Sequence, residues 1–82
     1  MKLVLPRSAQ KELDKIPDEI AFRISHKIFE LAKDPYGFGS QKLEGGKGYR
    51  IRIGDYRVVY IVDKKEKIVT IIKVGHRREI YR

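Results

Sequence analysis

The stretch YRIRIGDYRVVY, residues 49–60, constrains the fold of this chain more than any other segment. Glycine then aspartate at 54–55 suits a two-residue hairpin loop, because glycine in the first central position permits the positive φ of a type II′ turn. That turn sets Ile53 opposite Tyr56. Counting outward pairs Arg52 with Arg57, Ile51 with Val58, Arg50 with Val59 and Tyr49 with Tyr60. Because side chains alternate across a strand, one face gathers Arg50, Arg52 and Arg57. The other collects Tyr49, Ile51, Ile53, Tyr56, Val58, Tyr60 and Val62, and needs a cover.

The first half of the chain supplies that cover. KLVL at 2–5 predicts a short strand ended by Pro6, and Ser8 is the expected N-cap of a helix with Ala9, Leu13 and Ile16 at i, i+4 and i+7. Pro17 and Asp18 open a second helix, with Ile20, Ile24, Ile28 and Leu31 on one face and Phe22 and Phe29 on a flank. The pair is expected to form a helical hairpin. Asp34-Pro35 and the glycines at 37 and 39 end it. From Gly45 the period changes from 3.6 to 2, predicting strands at about 49–53, 56–62 and 68–74, with DKKEK as the second turn and Gly75 breaking the last strand. The expected architecture is α+β: one small domain over 1–82, β-α-α-β-β-β, an antiparallel sheet against a helical hairpin, and a short basic C-terminal tail.

An 82-residue chain buries only about 60% of the surface it exposes unfolded, which argues against a large enclosed active site. With no cysteine, neither disulfides nor a thiolate zinc site can supplement the core. MKLVL is too short for a signal peptide and VVYIV cannot span a bilayer, so a soluble cytoplasmic protein is expected. Charge is lopsided. Residues 1–40 hold seven Lys/Arg and six Asp/Glu, a net +1, whereas residues 41–82 hold twelve and five, a net +7. The second half therefore calls for a polyanionic partner, nucleic acid or an acidic protein.

Like charges directly opposite on a sheet are destabilising, so the arginine face asks for an anion, and the planar guanidinium fork suits phosphate oxygens. The alternative is a solvated face whose side chains splay into water. If Val62 pairs with Ile68, Lys73 falls opposite Arg57 and adds a fourth cation. In the C-terminal VGHRREIYR, Arg77 and Tyr81 project to the same side whether the tail is helical or extended, a cation beside a ring that can stack on a base. Other chemistries find no support. EGGKG at 44–48 lacks the phosphate-loop spacing and leads into a strand. His26 sits among polar neighbours on a helix. Neither it nor His76 has metal-ligand spacing, so no metal and no cofactor is expected. The serines lack a nucleophile-elbow context, and the carboxylates fall on helix surfaces and turns.

The order strand, helix, helix, three strands and basic tail, with LEGGKGYRIRIGDYRVVYIVD and VGHRREIYR, resembles the RelE/ParE superfamily of toxin-antitoxin toxins, on its RelE side. The resemblance covers the whole chain, most specifically residues 43–82. It implies a metal-independent, ribosome-dependent mRNA endonuclease cutting A-site codons. The RNA 2′-hydroxyl attacks the adjacent phosphate, leaving a 2′,3′-cyclic phosphate and a 5′-hydroxyl. It also implies roles: Arg57 and Arg77 stabilise the phosphorane oxygens, Arg50 and Arg52 hold the backbone, and Tyr81 stacks on a base or orients the attacking hydroxyl. Lys73, Arg78 and Arg82 complete the RNA-binding set. Relatives commonly carry lysine where this chain has Arg50 and Arg52, and arginine stays protonated. The general base therefore passes to His76, of the residue type that titrates near neutrality, with Tyr81 behind it. The implied partners are an acidic antitoxin, the ribosome and mRNA, with the free chain a monomer. Two other readings stay open: a ParE-like poison of DNA gyrase, and a basic RNA-binding module without catalysis.

Overall fold

A computed structural model describes residues 1–37, 39–43 and 48–76. The chain runs β1 (Lys2–Val4), α1 (Arg7–Asp14), α2 (Asp18–Lys33), β2 (Gln41–Lys42), β3 (Tyr49–Ile53), β4 (Tyr56–Asp63) and β5 (Ile68–His76). The strands form one sheet in the order β1-β5-β4-β3-β2, with both helices on one face.

The central hairpin follows the sequence. Gly54 has φ 60° and Asp55 does not share a positive φ, the type II′ pattern, and all five β3–β4 pairs from Tyr49↔Tyr60 to Ile53↔Tyr56 are as the turn dictates. The inward face buries Ile51, Ile53, Val58 and Tyr60 against Leu13, Ile24, Ile28 and Leu31, with Val69, Ile71 and Val74 continuing the core across β5. Burying each such aliphatic side chain contributes about 1.5–3 kcal/mol.

Several elements differ from expectation. Pro6, not Ser8, stands at the N-cap of α1, because proline already holds the extended conformation a cap needs; Ser8 lies inside the first turn and makes no capping bond. β1 joins β5 in parallel, which makes the sheet mixed, since the chain must cross over through both helices before returning. β2 adds a fifth strand of two residues. The two helices cover one face of the sheet as expected, α1 along β5 and α2 reaching β1 and β5. β5 runs on through Gly75 to His76, past the glycine expected to break it. Beyond Thr70, β1 no longer covers the outer edge of β5, and there the Val74 amide donates to Glu12 Oε1 at 3.2 Å, so α1 closes an edge that would otherwise be open.

The β4–β5 register departs from the expected one in two steps, one at the turn and one at a bulge. The loop is Lys64–Lys67, with Asp63 Oδ1 accepting the Glu66 amide at 3.0 Å and Lys67 at φ 56°, so Val62 pairs with Val69 and not with Ile68. An extra residue, Ile72, then bulges between the pairs Tyr60↔Ile71 and Val59↔Lys73. Each one-residue offset turns the strand over, and the two together restore its face. Lys73 thus lies on the arginine face as expected, but opposite Val59; Arg57 faces Gly75.

Tyr60 anchors the connection after α2. Its hydroxyl donates to the Pro35 carbonyl at 2.6 Å, and its ring stacks on Tyr49, 5.8 Å between centroids. Burial, the largest effect, holds the Tyr60 phenol above its usual range.

Candidate functional site

Two cross-strand rows build the open face of the sheet. Gln41, Arg50, Val59 and Lys73 form one row across β2, β3, β4 and β5, and Arg52, Arg57 and Gly75 form the next. Arg57 is half-buried between an arginine on one side and a residue without a side chain on the other, while Arg52 is exposed. Arg50 is held in place: its Nε and Nη2 both donate to Gln41 Oε1, at 3.3 and 3.0 Å. Between these groups lies a cleft of about 180 Å³, lined by Gly39, Gln41, Arg50, Ile51, Arg52 and Arg57. Its three guanidiniums and small volume suit a phosphodiester group, since one wall presents forked donors and no described carboxylate lines it.

The structure brings Arg50, Arg52 and Arg57 together and keeps Lys73 on the same face, one row away from Arg57. It does not bring His76 to them. His76 pairs with Tyr56, whose side of the sheet is the helix-covered one, and its ring meets the Tyr56 ring edge-on at 5.4 Å. There it lines a separate cleft of about 210 Å³ with Glu12, Lys15 and Tyr56. The expectation that His76 stands beside the phosphate site fails on parity: it is one residue from Gly75, which faces Arg57, so it points the other way. Arg77, Arg78, Tyr81 and Arg82 lie outside the described residues, as does most of the EGGKG turn.

Sequence reasoning missed two contributors. Gln41 fixes Arg50, yet a two-residue strand leaves no periodic signal. Ile72, 45% exposed, is placed on the open face by the bulge, beside Ile61, 40% exposed, and half-buried Thr70. The same face therefore carries cations towards β3 and an apolar patch towards β1.

The fold of two helices on a five-stranded sheet is shared with known proteins. Residues 3–81 match the family described as the ParE toxin of the type II toxin-antitoxin system parDE. The chain belongs to the RelE/ParE superfamily of toxins. Toxin RelG of Mycobacterium tuberculosis is 31% identical over 77 residues, covering 92% of this chain and 88% of that one. Toxin RelE of the same organism is 30% identical over 82 residues, 98% of this chain and 84% of that one. Among solved structures, the RelE-RelB complex of Pyrococcus horikoshii matches at TM-score 0.80 with 32% identity, covering 93% of each chain. The intact RelBE complex of Escherichia coli matches at 0.79 with 28% identity, over 92% and 94%. This RelE-like toxin thus shares with them its fold across nearly its whole length.

Proposed function

We propose that this RelE-like toxin is a ribosome-dependent endoribonuclease that cleaves mRNA in the ribosomal A site. The observation that carries the reading is the register that converges Arg50, Arg52 and Arg57 on one phosphate-sized cleft, with Arg50 pinned by Gln41. In the proposed step the RNA 2′-oxygen bonds to phosphorus, its proton leaves to a base, and the bond to the 5′-oxygen breaks as that oxygen gains a proton. The products are a 2′,3′-cyclic phosphate and a 5′-hydroxyl. Arg57, with Arg77 from the tail, stabilises the charge building on the phosphorane oxygens, where preorganised donors act most strongly. Arg50 and Arg52 hold the flanking backbone. Lys73, Arg78 and Arg82 extend the cationic track, and Tyr81 stacks on a base or orients the attacking hydroxyl. With His76 turned to the helix side, Tyr81 is the remaining candidate to accept the proton.

Small size fits the reading, because the arginine cleft among the described residues is only about 180 Å³ and leaves most of the substrate to be positioned by a larger surface, here the ribosome. Regulation follows from the open face. Cations beside exposed Ile61 and Ile72 match a partner segment rich in Asp/Glu with apolar anchors, and the solved RelBE and RelE-RelB neighbours are toxin-antitoxin complexes. We assign the same kind of partner, an acidic antitoxin, to this toxin.

A second reading, poisoning of DNA gyrase, draws on the match to the family described as ParE. One experiment separates the two: purified protein is added to translating ribosomes with mRNA ends mapped by primer extension, beside a gyrase supercoiling assay. Cuts in phase with the A-site codon support the ribonuclease. Loss of supercoiling or DNA breakage without mRNA cuts would replace it with the gyrase reading, and binding without either would leave a non-catalytic RNA-binding module.

A further inference from the structure

The outer face of α2 carries a pattern that the arginine cleft does not use. Phe22 and Phe29 are 73% and 66% exposed, on the side of the helix away from buried Ile24, Ile28 and Leu31. Four residues before Phe22 is Asp18, and four after Phe29 is Lys33; seven separate the two rings. Both charged residues are exposed, and neither is in an ion pair among the described residues. At about 100° per residue the four side chains fall within roughly 60° of the helix circumference, a straight stripe some 22 Å long. Its spacing, four, seven, four, reads the same from either end, with an acid at one end and a base at the other.

We propose that this stripe is the contact of a symmetric homodimer, in which α2 packs antiparallel against α2 of a second copy about a twofold axis between Ser25 and His26. That axis sets Phe22 against Phe29 of the second copy and Asp18 against its Lys33, each contact occurring twice, as a self-complementary interface requires. Charge at the helix ends also suits the helix dipole, which accounts for Asp18 and Lys33 singly but not for two large rings left in water between them. A partner of another sequence would gain nothing from the palindromic spacing; a second copy uses all of it. Four phenylalanines at about 150–250 Å² each, with the flanking side chains, reach only the lower bound of a specific interface, near ~1,000 Å². The dimer is accordingly weak, forms at micromolar concentration and above, and revises the expectation of a monomeric free chain. α2 covers the face opposite Arg50 and Arg57, and Phe22 and Arg52 line one open cleft beside the hairpin turn; the inference does not rest on the ribonuclease reading.

Sedimentation velocity of the purified full chain from about 5 to 500 μM tests it, with circular dichroism confirming that each variant is folded. The wild type is expected to pass from 9.6 kDa towards twice that mass. Asp18→Lys alone and Lys33→Asp alone place like charges at both ends and weaken association about tenfold or more. An equimolar mixture of these two variants restores opposite charges at both ends and recovers association as a heterodimer. Phe22→Ala abolishes it. A chain monomeric throughout the range, a dimer indifferent to the charge reversals, or a mixture that fails to recover would each overturn the proposal. So would a monomeric wild type whose Phe22→Ala variant loses affinity for its antitoxin, which would give this face to the antitoxin instead.

Discussion

Truncating Arg57 separates a working cation from a solvated one. Arg57 is half-buried on the open face, directly opposite Arg52 in the β3–β4 ladder and opposite Gly75 on β5. In the proposed role Arg57 acts mainly on the charge of the transition state, and the loss of one such donor by Arg57→Ala is expected to lower the rate by about 10²–10³. Stability moves little. Relief of the Arg52 repulsion offsets some tenths of a kcal/mol of lost packing, leaving a net change within about 1 kcal/mol. Ile51, adjacent in the ladder but 2% exposed, provides the contrast: Ile51→Ala costs about 2–5 kcal/mol. Arg57→Lys keeps the charge and loses the planar fork, so a bidentate phosphate contact predicts a large rate loss there too. The assay is single-turnover cleavage of A-site mRNA on saturating ribosomes, with thermal unfolding of each variant. Wild-type cleavage by folded Arg57→Ala would refute the catalytic role; unfolding of that variant would refute its placement on the exposed face.

Inserting one residue between Gly54 and Asp55 should invert one strand of the hairpin, lowering the melting temperature and abolishing cleavage; a variant with both unchanged would refute the register. Tyr60→Phe strands the Pro35 carbonyl and should cost about 1–3 kcal/mol. Because the folded Tyr60 phenol is raised above its unfolded value near 10, its contribution is full below that pH and is lost as pH rises through the folded value, so urea midpoints of Tyr60→Phe should fall less steeply than wild type above pH 10. Equal alkaline slopes would remove Tyr60 as the cause. Antitoxin affinity should fall about tenfold or more between roughly 0.05 and 0.5 M salt, by titration calorimetry, and indifference to salt would count against the cationic face as the contact.

What the sequence made legible was whatever a local rule controls. Gly54 decides its turn by its own φ, and the turn decides five cross-strand pairs, so the convergence of Arg50, Arg52 and Arg57 can be counted out from the turn alone. The helices were legible by periodicity, although Pro6 displaced Ser8 as the cap. The rest depended on long-range pairing. Nothing in IVTIIKV marks Ile72 as a bulge, because every residue there favours strand; only the competition between a four-residue turn and the core demand for Val69, Ile71 and Val74 inserts it. The cross-strand neighbour of Lys73 follows from that bulge, and so lay beyond sequence reasoning, whereas the inward turn of His76 follows from plain alternation once β5 continues through Gly75. The parallel pairing of β1 and the two-residue β2 escaped for the same reason, being set by partners distant in the chain.

In the proposed reaction the cleft activates an RNA 2′-hydroxyl against its own phosphate. The most direct test is an mRNA carrying a single 2′-deoxy nucleotide at the scissile position of the A-site codon, presented on ribosomes with the purified toxin. Cleavage at that position is expected to disappear while the all-ribose message is cut to a 2′,3′-cyclic phosphate, with the toxin still binding the ribosome with either message. Undiminished cleavage of the deoxy-substituted message would show that the 2′-hydroxyl is not the nucleophile and would rule out the proposed reaction.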